Sequence, residues 1–276
     1  MNPNAELYSN NNDCQKEWAS RTLSSLELKQ RAYKHVLDIG CGTGEVTNVL
    51  LNRINDVENL IAFDKLESMV KFARSENPNP KIEYVIADVT KPESFSPEWR
   101  QKFDLITAFL VFHWTPNQYS NLETIKSLLA PKGEVIILLL TAGTIEYMSE
   151  VAKLEKWSHY FEGYTAEWAY PSSGWEEFSD WRFPDEVTGY RRMAESLGFT
   201  VKQCTNSFAD VTFPDIQSAK RWFCAILPQV NRIPESRLPE FMHDAVDMYT
   251  RKYPVDENGK LHSVASAIAV HLHKTT

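Results

Sequence analysis

The stretch HVLDIGCGTGEV, His35 to Val46, constrains this chain more than any other. An apolar run gives way to Gly40, Gly42 and Gly44, with Asp38 just ahead of them. A strand, a glycine loop and a helix start form the geometry in which a ligand can approach backbone N–H groups. The dinucleotide fingerprint requires a glycine in the slot that Glu45 fills, and no Gly-Lys-Ser/Thr follows to make a phosphate loop. Glu45 at the helix start would repel a pyrophosphate placed there. A neutral or cationic nucleoside tolerates it.

The residues around this unit repeat its alternation. Strands are predicted at Lys34–Ile39, Asn59–Asp64, Lys81–Asp88, Phe103–Phe112 and Glu134–Leu140. Helices are predicted between them at Glu45–Ile54, Leu66–Glu76 and Asn117–Leu129, the last ended by Pro131-Lys132-Gly133. The strands are apolar on both faces, as a parallel sheet covered by helices requires. The expected fold class is therefore α/β: a doubly wound, mostly parallel, seven-stranded Rossmann-like sheet with right-handed crossovers. An N-terminal helix is expected to start at Asp13 as N-cap, with Cys14, Trp18, Leu23, Leu26 and Leu28 as its apolar stripe.

After the fifth strand the alternation pauses. Thr141–Phe183 holds Tyr147, Trp157, Tyr160, Phe161, Tyr164, Trp168, Tyr170, Trp175, Phe178, Trp181 and Phe183, which is too aromatic for a linker. It reads as a helical, aromatic cap over the sheet edge. Pro184–Phe199 then reads as a helix and Thr200–Phe213 as a strand. Helices follow near Ile216–Leu227 and Glu235–Arg251, and Ser263–Lys274 closes the chain as a strand paired antiparallel with the one before them. The expectation is one domain over residues 1–276, with a covering helical segment at 1–33, the cap at 143–183 and a helical insertion at 214–252.

The formal net charge of −8 argues against a broad phosphate-binding surface, so no nucleic-acid partner is expected. Cys14, Cys41, Cys204 and Cys224 form no CxxC pair, which speaks against zinc and for reduced thiols in the cytoplasm. The first residues lack the apolar core of a signal peptide. The longest apolar run, Val135–Gly143, is too short to span a bilayer, so no membrane insertion is expected. A monomer or homodimer is the expected state.

Asp64 closes the second strand, where a carboxylate can accept both hydroxyls of a ribose. Asp88 ends the third, within reach of an adenine amino group. Asp38 is placed to brace the loop. Acids at successive strand ends, with no basic residue in the loop, suit a phosphate-free ligand with a positive centre. S-adenosyl-L-methionine is such a ligand. The bland competitor is an ordinary α/β protein whose acids merely solvate its strand ends.

VLDIGCGTG, AFD and IADV resemble the successive motifs of class I S-adenosylmethionine-dependent methyltransferases. The cofactor positions are then Asp38, Gly40, Cys41, Gly42, Gly44, Asp64, Lys65, Met69, Asp88, Val89 and Phe109. Cys41 reads as a small buried filler rather than a nucleophile, because methyl transfer needs none.

The His113-Trp114 pair after the fourth strand resembles small-molecule carboxyl methyltransferases. Tyr8, Asn12, Gln15-Lys16 and the C-terminal third are similar to the juvenile hormone acid methyltransferase family, so the resemblance spans nearly the whole chain. It implies that Gln15 and Trp114, with His113 beside them, hold a substrate carboxylate. It implies esterification of a lipophilic acid such as juvenile hormone acid or farnesoic acid. A carboxylate is ionised at pH 7, so no general base is needed. Neutral donors also avoid over-stabilising the ground state, as an arginine would. Trp157, Tyr160, Phe161 and Trp222-Phe223 are candidate walls of an apolar tunnel.

The alternatives are another acceptor on the same fold or a cofactor-binding protein without turnover. The other acceptors are an aconitate-like polyacid, a fatty acid or an amine. A polyacid would want cations at the cleft, for which Arg191-Arg192 or Arg221 are the candidates.

Overall fold

A computed structural model describes residues 4–26, 28, 31–115, 117–140, 146–162, 185–226, 230 and 232–275, with backbone only at 146–149. In chain order, α1 (Ala5–Ser9) and α2 (Asp13–Ser24) precede β1 (His35–Ile39), α3 (Glu45–Leu51), β2 (Asn59–Asp64), α4 (Glu67–Glu76) and β3 (Ile82–Ile86). Next come β4 (Phe103–Phe109), α5 (Gln118–Leu128), β5 (Leu129–Leu140), α6 (Glu146–Lys153) and α7 (Glu155–Ser158). The chain continues with α8 (Glu186–Ser196), β6 (Phe199–Phe213), α9 (Ile216–Ile226), α10 (Leu238–Lys252) and β7 (Leu261–Lys274).

The seven strands form one sheet in the order β3-β2-β1-β4-β5-β7-β6. The first five run parallel, and β7 is antiparallel to both its neighbours. Period-two alternation divides the core. Val36, Leu60, Leu105 and Ile136 face a cluster shared with α2, α3, α4, α9 and α10. Leu37, Ile61, Ile106 and Ile137 face the cluster of α5 and α8. Strands buried on both faces therefore need no polar side, which is why their sequences read as continuous apolar runs. Strand order reverses between β1 and β4, and the crevice at their C-terminal ends is where such sheets bind ligands.

Several boundaries differ from expectation. Asn12, not Asp13, is the N-cap of α2, and a further helix, α1, precedes it. The apolar stripe outlasts α2: Leu28 lies beyond its end yet is buried. β3 stops at Ile86, leaving Asp88 in the following turn. β4 stops at Phe109, and Phe112–Trp114 coils into a 3-10 turn. β5 begins at Leu129, and its pairing with β4 slips across Pro131-Lys132-Gly133, where Lys132 takes φ 63°.

The described part of the cap is anchored rather than open. Trp157 is fully buried, donates from Nε1 to Asp244 Oδ2 at 2.6 Å and packs edge-on against Phe241. Phe223 is equally buried. Both are core residues, not tunnel walls, whereas Tyr160, Phe161 and Trp222 are only partly buried. Of the expected cap aromatics, Tyr164, Trp168, Tyr170, Trp175, Phe178, Trp181 and Phe183 lie outside the described residues, as does the side chain of Tyr147.

Candidate active site

The glycine loop leaves β1 in a left-handed path, with φ of 70° at Gly40, 53° at Gly42 and 92° at Gly44. Space as well as conformation demands glycine at two of them. A Cβ on Gly40 would lie 2.3 Å from Val111 Cγ2, and one on Gly44 would lie 2.7 Å from the Tyr84 hydroxyl. The loop's N–H groups turn inward. Gly40 and Cys41 both donate to Phe63 O, Gly42 donates to Asp64 Oδ2 at 3.0 Å, and Gly44 donates to Cys41 O. The expectation of free amides facing a ligand is thus corrected at these four positions. The fold has tied three of them to β2 and the fourth to the loop itself, so these four offer no phosphate cradle.

Asp38 sits opposite Thr107 in the β1–β4 register. Its carboxylate accepts from Thr107 Oγ1 and Thr47 Oγ1, both at 2.7 Å, which ties β1, β4 and α3 together. Burial pushes it up to about 6, against the two hydroxyls that pull it down, and Asp64 adds to the rise. Asp64 accepts from Gly42 N and from Leu66 N at 2.9 Å, and burial raises it as well. The Cys41 thiol is buried and pushed far up, so it is no nucleophile.

Glu45, the residue that breaks the dinucleotide fingerprint, holds the N-terminal segment. It accepts from Ser9 Oγ, from Thr43 Oγ1 at 2.5 Å and from Asn12 Nδ2 at 3.3 Å. The ring of Tyr8 lies over Gly42. Burial, with Glu45 and Asp64 nearby, pushes its hydroxyl up.

These elements enclose a narrow cleft of about 20 Å³. The N-terminal segment contributes Tyr8, Asn12 and Gln15; the loop and α3 contribute Asp38, Gly40, Cys41, Thr43, Glu45 and Val46; the end of β4 contributes Phe109 and Leu110. Leu110 takes φ 55°, an uncommon conformation for a non-glycine residue. No described lining residue is cationic.

Of the expected cofactor residues, Asp38, Gly40, Cys41 and Phe109 line this cleft, and Gly42, Gly44 and Asp64 complete the loop around it. Asp88 stands apart, with Oδ1 accepting from Thr90 N and Oγ1 in a local turn. Lys65 is exposed, while Met69 and Val89 are buried beside the neighbouring strand ends. Gln15 lines the cleft, and its Oε1 is buried without a partner. His113 and Trp114 lie in the turn after β4, outside that lining, with ring centroids 4.7 Å apart. Burial holds His113 down at about 3, so it is neutral, and its Nδ1 has no partner.

Thr43, Val46 and Leu110 were not singled out from sequence. Thr43 and Val46 lie in the quoted loop stretch and could have been found there; nothing local marks Leu110. The cleft's chemistry fits S-adenosyl-L-methionine. Asp38 and Asp64, both raised by burial, welcome a positive ligand, which favours their ionised forms. A loop whose amides are already bonded excludes phosphate.

A family model described as a methyltransferase domain matches residues 12–203. Protein 235L of Invertebrate iridescent virus 6, which carries methyltransferase in its name, is 25% identical over 248 residues, 89% of this chain and 84% of that one. Trans-aconitate 2-methyltransferase of Escherichia coli O139:H28 is 26% identical over 249 residues, 88% and 89% of the two chains. Juvenile hormone acid O-methyltransferase of Drosophila melanogaster is 24% identical over 257 residues, 88% and 82% of the two chains. Among solved structures, the YcgJ protein of Bacillus subtilis shares the fold with a TM-score of 0.58 at 16% identity, covering 94% of this chain and 99% of that one. The chain belongs to the methyltransferase-domain family and is an S-adenosyl-L-methionine-dependent methyltransferase.

Proposed function

We propose that the protein transfers a methyl group to the carboxylate of a lipophilic acid of the juvenile hormone acid or farnesoic acid type. The observation that carries the reading is a cleft lined by buried Asp38, half-buried Glu45 and Gln15, whose amide oxygen is buried without a partner, but by no cation among its described lining residues. A polyacid such as aconitate would leave further carboxylates without a positive partner. Neither candidate cation region is among the described lining residues. Arg191 bonds to Cys204 O beside β6, and Arg221 bonds to Ser218 on the surface of α9. Partly buried Leu110, Trp114, Leu140, Tyr160, Phe161 and Trp222 pack against the same core cluster and supply apolar surface for a long chain.

The bound cofactor supplies an electrophilic methyl on a sulfonium. The chain's residues do the rest. Asp64, backed by the loop, takes the ribose hydroxyls. Asp38 holds the loop against β4 and α3 and adds negative potential. Gln15 and the Trp114 indole N–H orient the acceptor carboxylate with neutral donors. This favours a transition state in which opposite charges partly cancel. His113, neutral and buried, packs beside Trp114 and takes no proton. Segment 1–33 covers the site, and the setting is cytoplasmic.

Trp114→Phe and Gln15→Leu test this reading. Each should leave cofactor affinity unchanged by calorimetry while lowering kcat/KM for farnesoic acid about tenfold or more, the scale of one lost orienting hydrogen bond. Unchanged turnover in both would remove the carboxylate-donor roles.

A further inference from the structure

We infer that Asn12 is a cofactor-binding residue whose side-chain carbonyl oxygen accepts a hydrogen bond from the ammonium group of the cofactor's methionyl end. This rests on the reading of the cleft as the cofactor seat. Asn12 occupies the N-cap of α2, where asparagine usually turns its oxygen back to cap the helix. Here it makes no such bond. Its amide nitrogen faces Glu45 Oε2 at 3.3 Å and Thr43 Oγ1 at 3.5 Å.

That orientation is chemically fixed. A carboxylate only accepts, and the single hydroxyl proton of Thr43 already goes to Glu45. The nitrogen must therefore point to Glu45, and Oδ1 must point away. Oδ1 is buried without a partner, in a residue only 2% exposed that lines the cleft. Gln15, one turn on, also has its Oε1 buried without a partner.

A buried, fixed acceptor calls for a donor on the ligand. The ionised acceptor acid has none. The ribose hydroxyls belong at Asp64, the adenine amino group at the β3 end beyond β2 and away from this lining, and the sulfonium carries no proton to donate. The ammonium remains, with three N–H groups and a positive charge that suits the raised Asp38 in the same cleft.

Two probes separate the ends of the cofactor: S-adenosylhomocysteine, which keeps the amino-acid end, and 5′-methylthioadenosine, which lacks it. Both are titrated calorimetrically into wild-type protein and Asn12→Ala. The inference expects S-adenosylhomocysteine to weaken about tenfold to a hundredfold in the variant, with 5′-methylthioadenosine within about twofold of wild type. Equal weakening of both probes would mean that Asn12 only shapes the loop, and no change in either would mean that it makes no contact; each overturns the inference. A wild-type protein that binds neither probe would instead fault the cleft assignment on which the inference stands.

Discussion

At the scale of single residues, the site is governed by carboxylates kept out of water. Asp38 has a folded value of about 6, above the ordinary 3.9 or so of an unfolded aspartate. Its neutral form is therefore the one that folding favours. Its contribution to stability is greatest below about pH 4 and declines as pH rises to about 6. Binding a cation has the opposite sense, because it favours the ionised carboxylate. Cofactor affinity should rise between pH 5 and pH 7, and Asp38→Asn should flatten most of that slope, with the remainder belonging to Asp64. An identical slope in the variant would show that Asp38 does not sense the ligand. Asp64→Ala should weaken cofactor binding about a hundredfold or more, since it removes both ribose contacts and the anchor of Gly42 N. Unchanged affinity by calorimetry would refute the ribose role. Asp38 and Asp64 were legible in sequence because each sits at a strand end. The unbonded oxygen of Asn12 was not, since its orientation is set by Glu45 and Thr43, far along the chain.

At the scale of elements, the N-terminal segment and the glycine loop act as one unit. Ser9, Asn12 and Thr43 converge on Glu45, and Tyr8 lies over Gly42. The cleft beneath has about 20 Å³ of free space, room for about one water molecule. An adenosyl ligand needs more room than this, and Tyr8 of α1 is among the side chains that bound the cleft. Glu45→Gln weakens the charge-assisted bonds that hold that helix, so amide hydrogen exchange over residues 5–12 should quicken about tenfold in the variant. Exchange unchanged from wild type would mean that packing, not Glu45, holds the segment.

The loop itself should not tolerate a methyl group. Gly44→Ala is expected to destabilise the fold by about 1–3 kcal/mol from backbone strain, and more from contact with Tyr84, read as a lowered Tm. The loop was visible in sequence because its glycines fall at alternate positions in one short stretch. α1 was not, because five residues make no stable helix alone and this one depends on Asn4 as its cap and on packing against distant elements. Glu45 stands out in sequence as the residue in the fingerprint's glycine slot, but its bonds to Ser9 and Asn12, which hold the N-terminal segment, are a tertiary fact.

At the scale of the whole molecule, the alternation of apolar strands with helices was enough to give the parallel sheet and its antiparallel closing strand. The central strands β1, β2 and β4 are buried on both faces, and each parallel crossover has one favoured hand. The acceptor is less legible. On the proposed reading it depends on the turn at Phe112–Trp114 and on the aromatic side chains around it. Aromatic composition does not separate wall from core. Trp157 and Phe223 prove to be core, while Tyr160, Phe161 and Trp222 keep partial exposure.

The most direct test of the carboxyl-methylation claim is transfer of a radiolabelled methyl group from S-adenosylmethionine to farnesoic acid, juvenile hormone acids, straight fatty acids, trans-aconitate and a panel of amines. The farnesoid acids are expected to take the label with the highest kcat/KM, and mild base should release it, as from an ester. Label that resists base on an amine, or a preference for trans-aconitate, would contradict the claim.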